Sequence, residues 1–130
     1  MKEVQAKSGR AVPRLAEGEY KFACIVWEQE PLPSGKLAVL SAERLGWKKS
    51  TAYTVLKKLC DRGVLQNEGG VVTARIKRSE VQQAQSAAVV DHAFDGSLPR
   101  FVAAFLNEKT ITEQEAAEIR AMLDAARGNP

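Results

Sequence analysis

Two amphipathic helical segments, over 35–45 and 49–62, stand only Gly46-Trp47-Lys48 apart, and this spacing limits the fold more than any other feature of the chain. The first carries Leu37, Ala38, Leu40 and Leu45 on one face, with Ser34 as its expected N-cap and Gly46 as its C-terminal residue. The second carries Ala52, Val55, Leu56, Leu59 and Cys60 at i, i+3, i+4, i+7 and i+8, and Gly63 stops it. So short a connection makes the two helices meet at a sharp angle. A helix precedes the pair: Leu15, Phe22, Ile25 and Val26 recur at helical spacing, Ala23 and Trp27 widen the stripe, and Pro31-Leu-Pro-Ser-Gly35 ends it. A β-hairpin follows, with Val64-Leu65-Gln66, turn chemistry at Asn67-Glu-Gly-Gly70, and the β-branched run Val71 to Ile76.

Three short helices followed by a hairpin, within 14–78, is the order of a winged helix-turn-helix domain. In that arrangement the third helix presents its outward side chains to the major groove of DNA. The outward set is Ser50, Thr51, Tyr53, Thr54, Lys57 and Lys58, with Lys48 and Lys49 at the helix start and Arg62 at its end. Small hydroxyls permit close approach to base edges, and lysines neutralise phosphates. No Asp or Glu occurs from Lys48 to Cys60. Tyr53 fits either the groove or a neighbouring helix, while Trp47 beside Gly46 reads as a core plug under the turn.

Charge divides the chain the same way. The formal net charge of +3 separates into +7 over Met1–Arg78 and −4 over Ser79–Pro130. Such asymmetry suits a basic functional half and an acidic half with another task, although an unevenly charged solvated surface has the same signature.

The second half is expected to be a helical dimerisation domain, 79–130. Ser79 and Glu80 open a helix through Ala93, Asp95-Gly96-Ser97 interrupts, and an apolar segment runs from Leu98 to Leu106. Thr112-Glu-Gln-Glu115 fits a capping box for a last helix that carries Ile119, Met122 and Leu123 on one side and ends at Gly128. Leu98, Phe101, Val102, Phe105 and Leu106 are too much apolar surface for one short helix to bury. With Val89, Val90 and Phe94, and with Ile119 and Leu123, they mark an expected dimer interface. Packing of this face onto the first helix is the alternative.

The stretch VWEQEPLPSGKLAVLSAERLGWKKSTAYTVLKKLCDRGVL resembles the DNA-binding domain of the penicillinase repressor (BlaI/MecI/CopY) family. The resemblance is carried by Trp27 closing helix one, Trp47 opening the recognition helix, Thr51 with Thr54, Lys57-Lys58, and Arg62-Gly63. AFDGSLPRFVAAFLNEKTITEQEAAEIRAMLD resembles the same family's C-terminal dimerisation segment. The resemblance implies a homodimeric repressor on a dyad-symmetric operator, in which Ser50, Thr51, Tyr53 and Thr54 face bases while Lys49 and Lys58 contact phosphates or bases. It also implies a basic wing. The turn here is the partly acidic Asn67-Glu68-Gly69-Gly70, and only Arg75, Lys77 and Arg78 remain for the DNA backbone. Members are commonly released by a membrane sensor protease that cuts an Asn-Phe bond, but the matching pair here is Ala104-Phe105. The copper-responsive branch carries a Cys-x-Cys tail that Ala125-Ala-Arg-Gly-Asn-Pro130 lacks, so neither metal nor cofactor is expected.

The remaining features exclude other classes. Two cysteines and one histidine rule out a disulfide scaffold and a Cys/His metal cluster. Cys24 and Cys60 lie on apolar helix faces and read as small core residues, with a redox switch as the lesser alternative. His92 has no catalytic partner pattern and no glycine-rich phosphate loop occurs, so an enzyme is not expected. No apolar run approaches the roughly 18 residues of a membrane span. Met1 to Arg14 is basic and polar, unlike a secretory signal, and the expected location is the cytoplasm. The chain is thus expected to be a flexible arm over 1–13, a DNA-binding domain and a dimerisation domain. The alternative is a winged-helix protein-interaction module that has lost operator binding, a reading supported by the reduced wing.

Overall fold

A computed structural model describes residues 4, 5 and 11–127. The described elements, in order, are β1 (Val4–Gln5), β2 (Ala11–Val12), α1 (Glu17–Gln29), β3 (Leu32–Pro33), α2 (Ser34–Leu45), α3 (Lys49–Asp61), β4 (Leu65–Glu68), β5 (Val71–Ala74), α4 (Arg78–Ala93), α5 (Leu98–Glu108) and α6 (Glu113–Ala126). The chain is mostly helical with a small antiparallel sheet, as its sequence pattern predicts. No described helix is long and apolar enough to cross a membrane.

Two compact units divide at Val89 and Val90, within α4. In the first, α1, α2 and α3 bury Phe22, Ile25, Val26, Leu37, Ala52, Leu56 and Leu59 against Val64, Leu65 and Val72 from the hairpin. Each fully buried aliphatic or aromatic side chain contributes about 1.5–3 kcal/mol of hydrophobic stabilisation. The first turns of α4 add Val81 and Ala84 to this core, so the unit extends past the point where the charge changes sign. Of the arm expected over 1–13, residues 1–3 and 6–10 lie outside the described residues, and Val12 is packed into the core.

The α2–α3 turn works because Gly46 adopts φ 70°, a left-handed conformation that satisfies the end of α2 through its N–H bond to Ala42 O at 3.1 Å. Trp47 then packs its ring parallel to Phe22, centroids 5.4 Å apart, and plugs the core under the turn. Ser34 is not the N-cap of α2: Pro33 holds that position, and the Ser34 N–H donates to Gly70 O at 2.8 Å. Buried Ser41 donates its hydroxyl to Leu37 O at 2.8 Å, which satisfies the one polar side chain in the described core.

Two antiparallel sheets are present among the described residues: β1 pairs with β2, inside the segment expected to be a flexible arm, and the larger sheet has the order β3-β5-β4, with β5 central. The hairpin register pairs Leu65 with Ala74 and Glu68 with Val71, leaving Gly69 (φ 59°) and Gly70 (φ 87°) as a two-residue turn of the primed type. β3 is a third strand that sequence reading misses, since two residues have no period and Pro31 and Pro33 signal only the end of α1. Pro33 is tolerated there because β3 is an edge.

In the second unit Ser97 caps α5 by accepting from the Arg100 N–H at 3.2 Å. The Thr112–Glu115 capping box starts α6, with bonds of 3.0 and 2.9 Å. The expected end of that helix at Gly128 lies outside the described residues.

Candidate nucleic-acid interface

α3 presents Ser50, Thr51, Tyr53, Thr54, Lys57 and Lys58 to solvent, together with Lys48 and Lys49. The helix begins without a side-chain cap, and its first backbone bond is Ala52 N–H to Lys48 O at 3.0 Å. The N–H groups of Lys49, Ser50 and Thr51 therefore precede the intrahelical ladder and point out of the helix end. Lys48 and Lys49 form no ion pair among the described residues. Two cations, three open donors and a row of short hydroxyls at one helix end make an anion-attracting surface that is also shaped for close approach.

The other end of α3 is electrostatically different. Lys57 Nζ lies 3.2 Å from Asp61, Lys58 Nζ 2.8 Å from Glu19, and the Arg62 guanidinium 3.2 Å from Glu19. Half-buried Arg62 also donates to the carbonyl of Arg14. Glu19 comes from the first turn of α1, where its other role is to accept the Ala16 N–H at 2.9 Å and so complete that helix terminus. Burial alone raises the Glu19 pKa, but the hydrogen bonds from Lys58 and Ala16 and the charges of Lys58 and Arg62 outweigh it. The net effect holds the carboxyl below its ordinary 4.5.

A depressed carboxylate stabilises the fold fully above its unfolded value and loses that contribution as the pH falls through the folded one. Glu19→Gln is thus expected to lower the urea-unfolding free energy by about 1 kcal/mol at neutral pH, a modest figure because Lys58 is solvent-screened. The gap should close in acid, below 4.5. A gap independent of pH would exclude the ion pairs as its cause.

The wing is anchored more than it is extended. Trp27 Nε1–H donates to Ile76 O at 2.9 Å, the Arg78 guanidinium lies 5.7 Å over the Trp27 ring, and Glu28 pairs with Arg44 at 2.8 Å and with Arg78 at 3.8 Å. At the turn, Asn67 Oδ1 accepts the Gly70 N–H at 3.0 Å, and Gln66 donates to Glu68. Of the basic residues expected to serve the DNA backbone, Arg75 and Lys77 are exposed, while Arg78 is half-buried over Trp27 and beside Glu28. The tip itself offers a carboxylate.

In the second unit, α5 and α6 bury no side chain. Leu98, Val102, Phe105, Leu106, Ile119 and Leu123 are exposed, as is Val89 on α4. Phe94 and Phe101 are half-buried because they pack edge-to-face on each other at 5.5 Å, and Val90 is half-buried as well. Ile111 and Met122 are further exposed apolar residues absent from the expected interface. Among the cysteines, Cys60 is half-buried; burial and the neighbouring Asp61 push its thiol pKa up, which disfavours the reactive thiolate.

The Penicillinase repressor family matches residues 15–125, which takes in α1 through most of α6. The chain belongs to the penicillinase repressor family. The match spans both compact units and starts at Leu15, beyond the arm. A curated relative, the penicillinase repressor of Bacillus licheniformis, is 21% identical over 119 residues, covering 88% of this chain and 93% of the relative. Similar solved structures include the monomeric form of BlaI from Bacillus licheniformis in complex with the blaP half-operator. It is 22% identical with a TM-score of 0.47, over 53% of this chain and 89% of that one. A MarR family protein of Mycobacterium tuberculosis is 22% identical with a TM-score of 0.41, over 88% of this chain and 76% of that one. In this family member, α3 exposes a basic, hydroxyl-rich surface, and α5 and α6 expose apolar side chains.

Proposed function

We propose that the chain is a DNA-binding transcriptional repressor that acts as a homodimer on a dyad-symmetric operator. The observation that carries the reading is the N-terminal half of α3, where uncapped N–H groups, Lys48 and Lys49 without an ion-pair partner among the described residues, and exposed Ser50, Thr51, Tyr53 and Thr54 share one surface. Membership of a repressor family supports the same assignment. In this reading Lys48, Lys49 and the helix end engage phosphate, the hydroxyls and Tyr53 meet base edges, and Arg75 adds a backbone contact from the hairpin. Lys58 and Arg62 take the separate role argued below. Dimerisation is supported by the apolar side chains that α5 and α6 leave exposed, since a symmetric reader matches a symmetric site.

The wing tip favours a second reading, a protein-interaction module without operator binding. Its turn is acidic at Glu68 and is tied back to α2 through Ser34. Fluorescence anisotropy separates the two readings, using duplexes tiled across the promoter of the chain's own locus against a random duplex at physiological salt. A repressor is expected to select one duplex by about 1000-fold or more over random sequence. Equal affinity for all duplexes would favour the interaction module.

A further inference from the structure

We propose that Glu19 is a positioning residue of the DNA-binding surface: it withdraws Lys58 and Arg62 from phosphate and confines neutralisation to Lys48 and Lys49 at the N-terminal end of α3. The proposal rests on the DNA-binding reading above. The Glu19 side chain is 11% exposed whereas Lys58 is 59% exposed, so the carboxylate is fixed in the fold and the ammonium bends toward it. The Ala16 N–H holds that carboxylate from its other side. Arg62 is engaged twice, by Glu19 and by the Arg14 carbonyl. A phosphate would have to displace a carboxylate already 2.8 Å from Lys58. Lys57, one residue earlier, is matched by Asp61.

All three cations in the last turns of α3 therefore have a carboxylate partner, and the two at its start have none among the described residues. This gradient gives the helix a polarity toward DNA. The phosphate backbone is drawn to the end where open N–H groups also point, which is the orientation that brings Ser50, Thr51 and Thr54 to base edges. Without Glu19, Lys58 would bind backbone as well and the helix would lose that preference.

The test is the salt dependence of binding to a labelled random-sequence duplex, because each neutralised phosphate contributes about 0.9 to the slope of log affinity against log salt. Glu19→Gln keeps an acceptor for Ala16 and removes the charge. It is expected to steepen the slope by about 0.9 per protomer as Lys58 moves to phosphate, while Arg62 stays on the Arg14 carbonyl. Lys58→Gln alone should leave the slope in place, and the double variant Glu19→Gln/Lys58→Gln should return to it. A slope that becomes shallower in Lys58→Gln, or stays fixed in a Glu19→Gln variant folded by circular dichroism, overturns the proposal. Should Glu19→Gln fail to fold, Lys58→Gln in the intact network decides alone, with an unchanged slope in favour and a shallower one against. If the unaltered chain bound no duplex at low salt, the DNA-binding reading would fall and the proposal with it, an outcome distinct from any change of slope.

Discussion

Phe105→Asp is expected to turn a dimer into a monomer at micromolar concentration and to weaken binding to a two-fold symmetric duplex by roughly 100-fold or more. Phe105 is 49% exposed on α5, and neither α5 nor α6 buries a side chain of its own. Helices as short as these do not hold their shape in water on propensity alone; they need an apolar face covered. Leu98, Val102, Phe105 and Leu106 on α5, with Ile119 and Leu123 on α6, are large apolar side chains left exposed, and exposed apolar surface of this kind marks an interaction site when it gathers into a patch. In the proposed homodimer a second copy would cover it in a self-complementary way, so each substitution would be counted twice across the two-fold axis. A carboxylate placed there must be desolvated for the pair to form. Sedimentation velocity reads the mass directly, and anisotropy on the symmetric duplex reads the lost second half-site. The first unit has its own core, and its thermal transition should persist. A variant that remained dimeric would move the interface off α5.

The helices and the turn were legible in the chain because their signals are local. Gly46 and Gly63 stand where α2 and α3 end, and apolar residues at helical spacing identify Leu56 and Leu59 as core. Asn67-Glu-Gly-Gly70 marks the hairpin for the same reason, but the turn itself is Gly69-Gly70, because Asn67 and Glu68 pair with Val72 and Val71 as the end of β4. β3 was not legible, since Leu32-Pro33 has no periodicity and becomes a strand only when β5 lies beside it. Nor was the extent of the first unit, because a helix such as α4 carries no local mark of where Val81 and Ala84 will pack. The candidate site divides along this line. Exposure of Lys49, Thr51 and Thr54 follows from helix phase, so sequence finds it. The partnership of Glu19 with Arg62 joins residues 43 positions apart. Counting charges along Lys48 to Cys60 finds no acid there, yet the fold brings one in from α1.

Lys49→Glu is expected to reduce duplex affinity by roughly 100-fold or more while leaving the protein as stable as before, because one substitution acts oppositely on binding and on folding. Lys49 is the first residue of α3, exposed and without an ion-pair partner among the described residues, so its removal orphans nothing. A carboxylate in a first turn interacts favourably with the helix dipole, by about 0.3–1 kcal/mol, so folding gains slightly if it changes at all. Toward DNA the same carboxylate replaces a counterion-releasing cation with a charge that phosphate repels, at the helix end where the open N–H groups lie. The salt slope should become shallower by about 0.9 per protomer. Lys58→Glu lacks this clarity: it would set a second carboxylate beside Glu19 at the junction of α1 and α3, and any loss of binding would mix with loss of structure. Urea unfolding and anisotropy measured on the same Lys49→Glu preparation separate the two effects. Unchanged affinity in a folded variant would remove the start of α3 from the DNA surface, and the interaction-module reading would then account better for a wing tip that ends in Glu68.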